Sequence, residues 1–183
     1  MRSILALVFV LILGSVAQAA TLEGVTLPDT ETVAGKSLVL NGIGLRKKGL
    51  FKVYVAGLYL PAKETSAEKV LAGDTERKMV LQFVRNVSKD QICNAWHEGL
   101  DNNSPAKAKA LRPNFDTLCT YMQDLKEGNQ LAFAYAPGKG TTISVNGVEK
   151  GTIAGKEFAD AMFACWIGPN PPGEAFKKAL MGG

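Results

Sequence analysis

The chain has 183 residues, with 21 Lys and Arg against 17 Asp and Glu, three Cys and one His. A formal charge of +4 is mild and the cations are scattered, with no basic stripe interleaved with aromatics, which excludes a nucleic-acid surface. The cysteine spacing fits no zinc pattern, no metal site and no cofactor is expected, and the length allows a core to be buried without either.

Arg2, the apolar run Ile4 to Leu13, and then Ala17-Gln18-Ala19 follow the charge, apolar, small-x-small order of a secretory signal peptide. The run falls short of the roughly 20 apolar residues of a membrane-spanning helix. Residues 1–19 are therefore expected to be a signal peptide cleaved after Ala19, with an uncleaved anchor as the alternative. Residues 20–183 would then be one soluble domain, periplasmic or secreted, with no stable membrane span after cleavage. Loss of Arg2 takes the charge from +4 to +3.

Ser37 to Leu45 and Phe51 to Leu60 are rich in Val, Leu, Tyr and Phe and read as strands joined near Gly49. A short helix over Ser66 to Ala72, capped by Ser66, and a strand over Lys78 to Val84 follow. Ser88 with Gln91 forms a capping box, opening a helix with Ile92, Ala95, Trp96 and Leu100 on one face. Asp101 to Pro105 is expected to break it. A second helix carries Leu111, Phe115, Leu118, Met122 and Leu125 on one stripe, and Pro113 places its regular start near Arg112. Gln130 to Ala136, Thr141 to Val145 and Val148 to Ile153 form a β meander, with Asn146-Gly147 as its hairpin turn. Helices over Glu157 to Ile167 and Glu174 to Met181 close the chain, separated by a Gly- and Pro-rich stop. The order predicts an α+β fold, an antiparallel sheet of about six strands with helices on one face.

Cys93, Cys119 and Cys165 suggest one disulfide and one leftover thiol in an oxidising compartment. Cys93 with Cys119 is the favoured pair because both fall in the helical region; three buried thiols are the alternative. His97 has no partner at metal spacing, and Asp29 with Glu31 and Asp74 with Glu76 read as solvated loops.

One block stands out. Gly42-Ile43-Gly44-Leu45-Arg46 is a glycine-rich strand ending in arginine, and Lys52-Val53-Tyr54-Val55-Ala56-Gly57-Leu58-Tyr59-Leu60 follows it. With Phe83-Val84-Arg85-Asn86-Val87-Ser88 and Cys165-Trp166-Ile167-Gly168, this block resembles the chalcone isomerase-like family, in order from Val25 to Gly183. The resemblance implies an open-faced β-sandwich with a pocket between sheet and helices. It also implies that Arg46 meets an anionic substrate oxygen or a ligand carboxylate, a task suited to a permanently charged fork of donors. Tyr54 stands where the plant enzymes carry a threonine, and Cys165 where they carry a small polar residue. Tyr59 is a further ligand-binding candidate, though strand alternation puts it opposite Tyr54 unless Gly57 makes a bulge. The helix from Ser88 lacks the enzymes' tyrosine and offers Asn94 as a polar pocket residue. The balance favours a non-catalytic binder of a small apolar acid such as a fatty acid. An intramolecular lyase of the chalcone isomerase type, with Arg46 catalytic, is the alternative; a structural or partner-binding envelope protein is the third. Protein partners are not readable.

Overall fold

The computed structural model describes residues 19–183, so the expected signal segment lies outside the described residues except for Ala19. Short hairpins come first. Strands β1 (Ala19–Leu22) and β2 (Val25–Pro28) pair with each other as a separate two-stranded sheet. β3 (Thr30–Val33) opens the main sheet, followed by β4 (Lys36–Lys48), β5 (Phe51–Leu60), β6 (Arg77–Phe83), β7 (Gln130–Ala136), β8 (Gly140–Val145) and β9 (Val148–Ile153). These seven are antiparallel neighbours in sequence order. The seventh strand beyond the expected six is β3, too short and too polar to show a period of two. Its Glu31, expected in a loop, pairs with Lys78 at 2.9 Å. Asp74 accepts from the Tyr135 hydroxyl, and buried Glu76 pairs with Lys36, so these acids are structural rather than free in solvent.

The helices are α1 (Ala67–Ala72), α2 (Lys89–Asn103), α3 (Pro105–Tyr121), α4 (Lys156–Ile167) and α5 (Glu174–Leu180). α2 begins with the Ser88/Gln91 capping box, both reciprocal bonds being present. α3 starts seven residues before the expected Arg112, because Pro105 occupies the first turn, where a missing N–H is harmless. Pro113 is then inside the helix, and Thr117 Oγ1 donates to its carbonyl. Cys93 of α2 and Cys119 of α3 form a disulfide with Cα atoms 5.5 Å apart.

Each face of the sheet is buried by a different partner. On one face Tyr54, Ala56, Leu58, Met79, Leu81, Phe83, Phe133 and Ile143 pack beneath α2, α3 and α4. On the other, Val55, Tyr59 and Val80 pack against Val25 and Leu27 of the β1–β2 hairpin. Gly57 is required by that second layer: a Cβ there would come within 2.6 Å of the Leu27 side chain.

β4 contains the irregularity that positions the site. Leu40 pairs with Tyr59 but Gly42 pairs with Leu58, leaving Asn41 as an extra residue. A bulge of one residue exchanges the faces of everything beyond it. Leu38 and Leu40 therefore face the β1–β2 hairpin, while Gly42, Gly44 and Arg46 share the helix face with their partners Leu58, Ala56 and Tyr54. The buried Asn41 amide is filled: it donates to the Glu64 and Leu180 carbonyls and accepts from the Glu64 N–H.

Candidate functional site

The glycines of β4 decide what lies above Arg46. A Cβ at Gly42 would meet the Ala179 carbonyl at 2.1 Å, and one at Gly44 would meet Phe176 at 3.0 Å. Without side chains, the strand lets α5 lie directly across it, with Phe176 turned toward Tyr54. Arg46 emerges at the edge of this cover, half-buried, and its Nη1 donates to the Pro172 carbonyl at 3.1 Å. Among the described residues no carboxylate lies within ion-pair distance of it.

Opposite Arg46 in the register is Tyr54. Its ring meets Phe83 and Phe176 edge-on at 5.5 and 6.1 Å. The Trp166 indole N–H donates to the Tyr54 hydroxyl at 3.2 Å. Burial pushes the phenol up to about 12, against the opposing pull of the Trp166 hydrogen bond and the Arg46 charge. The hydroxyl therefore stays neutral at physiological pH, receiving one hydrogen bond and keeping its own proton to donate.

Cys165 precedes Trp166 on α4 and is buried, its Sγ donating to the Ala161 carbonyl at 3.3 Å. Burial raises its thiol to about 12, so it is no nucleophile. It packs against α2 at Gly99, where a Cβ would come within 2.7 Å of the sulfur. Trp96 completes the group from α2, edge-on to Trp166 at 5.5 Å and to Phe133 at 5.6 Å. Its indole N–H is buried without a protein acceptor.

Arg46, Tyr54 and Cys165 thus converge on one region of the sheet–helix interface, and Tyr59 and Asn94 do not join them. β5 keeps a regular register with β6 through Gly57, so Tyr59 faces the other layer, where its hydroxyl donates to the Pro28 carbonyl at 2.9 Å. Asn94 lies on the exposed side of α2, because the stripe Ile92, Trp96 and Leu100 takes the buried side. The pocket expected between sheet and helices is closed over Tyr54 by side chains. Phe176, Phe83 and Trp166 pack around Tyr54 there, while a groove of about 680 Å³ lies among α1, the α2–α3 junction, α4 and α5, and one of about 510 Å³ lies between α1 and α5.

Trp166 escaped attention as a hydrogen-bond partner because it is 112 residues from Tyr54 in sequence. Arg77 was equally hidden. It is fully buried between the Tyr135 and Phe163 rings, 4.9 Å from each, and bonds Asp160 at 2.5 Å and the Val70 carbonyl at 2.7 Å. Asp160 also receives Lys156 at 2.6 Å.

Among solved structures, a fatty-acid binding protein of Arabidopsis thaliana is similar over 90% of this chain and 96% of its own, with a TM-score of 0.74 and 16% identity. At that identity the likeness is one of fold. No curated protein matches the chain at a significant level. The family model described as chalcone isomerase-like matches residues 19–182. Because that match spans residues 19–182, most of the chain, the chain belongs to the chalcone isomerase-like family.

Proposed function

We propose that this chain is a non-catalytic binder of a small apolar acid such as a fatty acid, its carboxylate held between Arg46 and the Tyr54 hydroxyl. The observation that carries the reading is the pairing itself. A half-buried guanidinium, without a carboxylate partner among the described residues, stands in register with a neutral buried phenol that still has a proton to donate. Charge-assisted hydrogen bonds of this kind are worth about 1.5–3 kcal/mol each. The surroundings are aromatic and apolar, as ligand sites mostly are. Entry of an acyl chain requires Phe176 and α5 to move aside. α5 is seven residues long and is the element that lies over this site. The fold likeness to a fatty-acid binding protein supports the same reading. The test is native mass spectrometry of the full chain as purified from cells. An added mass matching an aliphatic acid is expected, and a ligand-free chain that takes up no added fatty acid would end the proposal.

The same pair also suits an intramolecular lyase, in which Arg46 and Tyr54 would stabilise an enolate oxygen. Tyr54 keeps its proton to about pH 12, so the phenol serves as donor and not as base. Cyclisation of naringenin chalcone above background, abolished by Arg46→Ala, would transfer support to this reading.

We further propose that the chain is exported and that residues 1–19 are its signal peptide. The Cys93–Cys119 disulfide, which belongs to oxidising compartments, supports this. N-terminal sequencing of the mature protein should begin at Ala20; a chain beginning at Met1 in the cytoplasmic fraction would contradict it.

A further inference from the structure

The β4–β5 hairpin ends in an unusual surface. Gly49, at φ +60°, turns the chain, and Leu50 and Phe51 follow at 98% and 63% exposure. Among the described residues the only other large hydrophobic so exposed is Val148. A single exposed apolar side chain means nothing. Two in succession at the extremity of a hairpin leave a contiguous apolar area in water.

The cations around them are equally particular. Lys47, Lys48 and Lys52 flank the tip on its own strands, and Arg85, from the segment after β6, lies 4.6 Å over the Phe51 ring. Lys52 is paired with Glu23 of the β1–β2 turn at 2.5 Å. Lys47, Lys48 and Arg85 have no carboxylate within ion-pair distance among the described residues. Glu127, whose N–H donates to Asn86, and Asp124, beside the Val87–Leu125 bridge, are further acids near this end of the sheet.

We propose that this hairpin tip docks the protein on an anionic phospholipid surface. Leu50 and Phe51 would enter the boundary between headgroups and acyl chains, and Lys47, Lys48 and Arg85 would meet the phosphates. Apolar side chains ringed by cations are the composition of interfacial anchors. A basic residue near an anionic membrane contributes about fivefold in partitioning, so three unpaired cations and two apolar side chains give weak, reversible binding. A protein partner is the poorer fit. The tip is convex and offers two apolar side chains, far from the roughly 800 Å² a side of a stable protein interface. The inference does not depend on the acid site: a chain that binds no fatty acid can still dock in this way.

A probe confined to the tip tests it on the full chain. Cys165 is buried and Cys93 is bonded to Cys119, so a nitroxide reagent labels a Leu50→Cys variant at that position alone. Vesicles of phosphatidylglycerol and phosphatidylcholine in equal parts are compared with phosphatidylcholine alone. On the anionic vesicles the label should gain collisions with oxygen and lose access to a water-soluble nickel chelate. A label at Lys139→Cys, in the turn at the opposite end of the sheet, should stay in water. Reversing Lys47, Lys48 and Arg85 to Glu, with circular dichroism unchanged, should return the tip label to water. A tip label that remains in water on anionic vesicles, or is immersed equally on both kinds, overturns the proposal.

Discussion

Buried cationic side chains here divide into those whose charge is paired inside the fold and those left with a charge to offer. Arg77 belongs to the first kind: two aromatic rings, one carbonyl and the Asp160 carboxylate surround it. Removing one partner of a buried pair strands the other charge, which typically costs about 3–5 kcal/mol. Asp160 is partly exposed, so Asp160→Ala should fall near the lower figure, about 3 kcal/mol by urea unfolding. Replacing Arg77 and Asp160 together by apolar residues should recover part of that loss. Arg46 belongs to the second kind. Its one hydrogen bond within the fold goes to a backbone carbonyl at the edge of α5, so Arg46→Met should lower stability by only about 1 kcal/mol. That contrast separates an arginine needed by the fold from one available to a ligand.

At the scale of elements, the bulge in β4 decides the site. Asn41→Ala would empty a buried position and leave the Leu180 carbonyl and both backbone groups of Glu64 without their partner. An unpaired buried polar group costs about 1–3 kcal/mol, so the variant should lose about 3 kcal/mol or more and loosen α5, read as faster hydrogen exchange over residues 174–181. Most elements were legible in the sequence because their signals are local. The Ser88/Gln91 box, the Asn146-Gly147 turn and the alternation of β7 each depend on neighbouring residues, and each is where the periodicity puts it. What stayed hidden was non-local. Nothing near Asn41 announces a bulge, since its reason is three backbone groups from the β5–α1 loop and the end of α5. Tyr59 stays out of the site because β5 has no irregularity between Tyr54 and Tyr59; the register shifts fall at Asn41 in β4 and at Val53, before Tyr54. Asn94 is kept out of the site by its own helix, whose buried stripe of Ile92, Trp96 and Leu100 leaves it on the solvent side. Pro113 misled by a local rule that Pro105 overrode.

The whole molecule carries a pH signature of its buried acids. Burial raises Cys165 from 9.0 and Tyr54 from 10.0, each to about 12, and raises Tyr59 as well. The folded state holds these protons more tightly than the unfolded chain. Their contribution is therefore complete below about pH 9 and is lost as pH rises from there toward about 12. Urea unfolding should show no loss from these groups up to about pH 9. Above it the decline should reach up to about 1.4 kcal/mol per pH unit for each group ionised only in the unfolded chain. Cys165→Ala with Tyr54→Phe should make that decline shallower, leaving the share of Tyr59 and Tyr135.

The measurement that bears most directly on the proposed function is calorimetric titration of a medium-chain fatty acid, dodecanoate, into the full chain, its Arg46→Met variant and its Tyr54→Phe variant. Saturable one-to-one binding is expected for the parent chain. Loss of the guanidinium should weaken it by at least about tenfold, in line with a charge-assisted contact of 1.5–3 kcal/mol, and loss of the hydroxyl by a smaller factor. Equal affinity in all three proteins would contradict the assignment of the carboxylate to Arg46 and Tyr54, and no binding to the parent chain would contradict the reading as an acid binder.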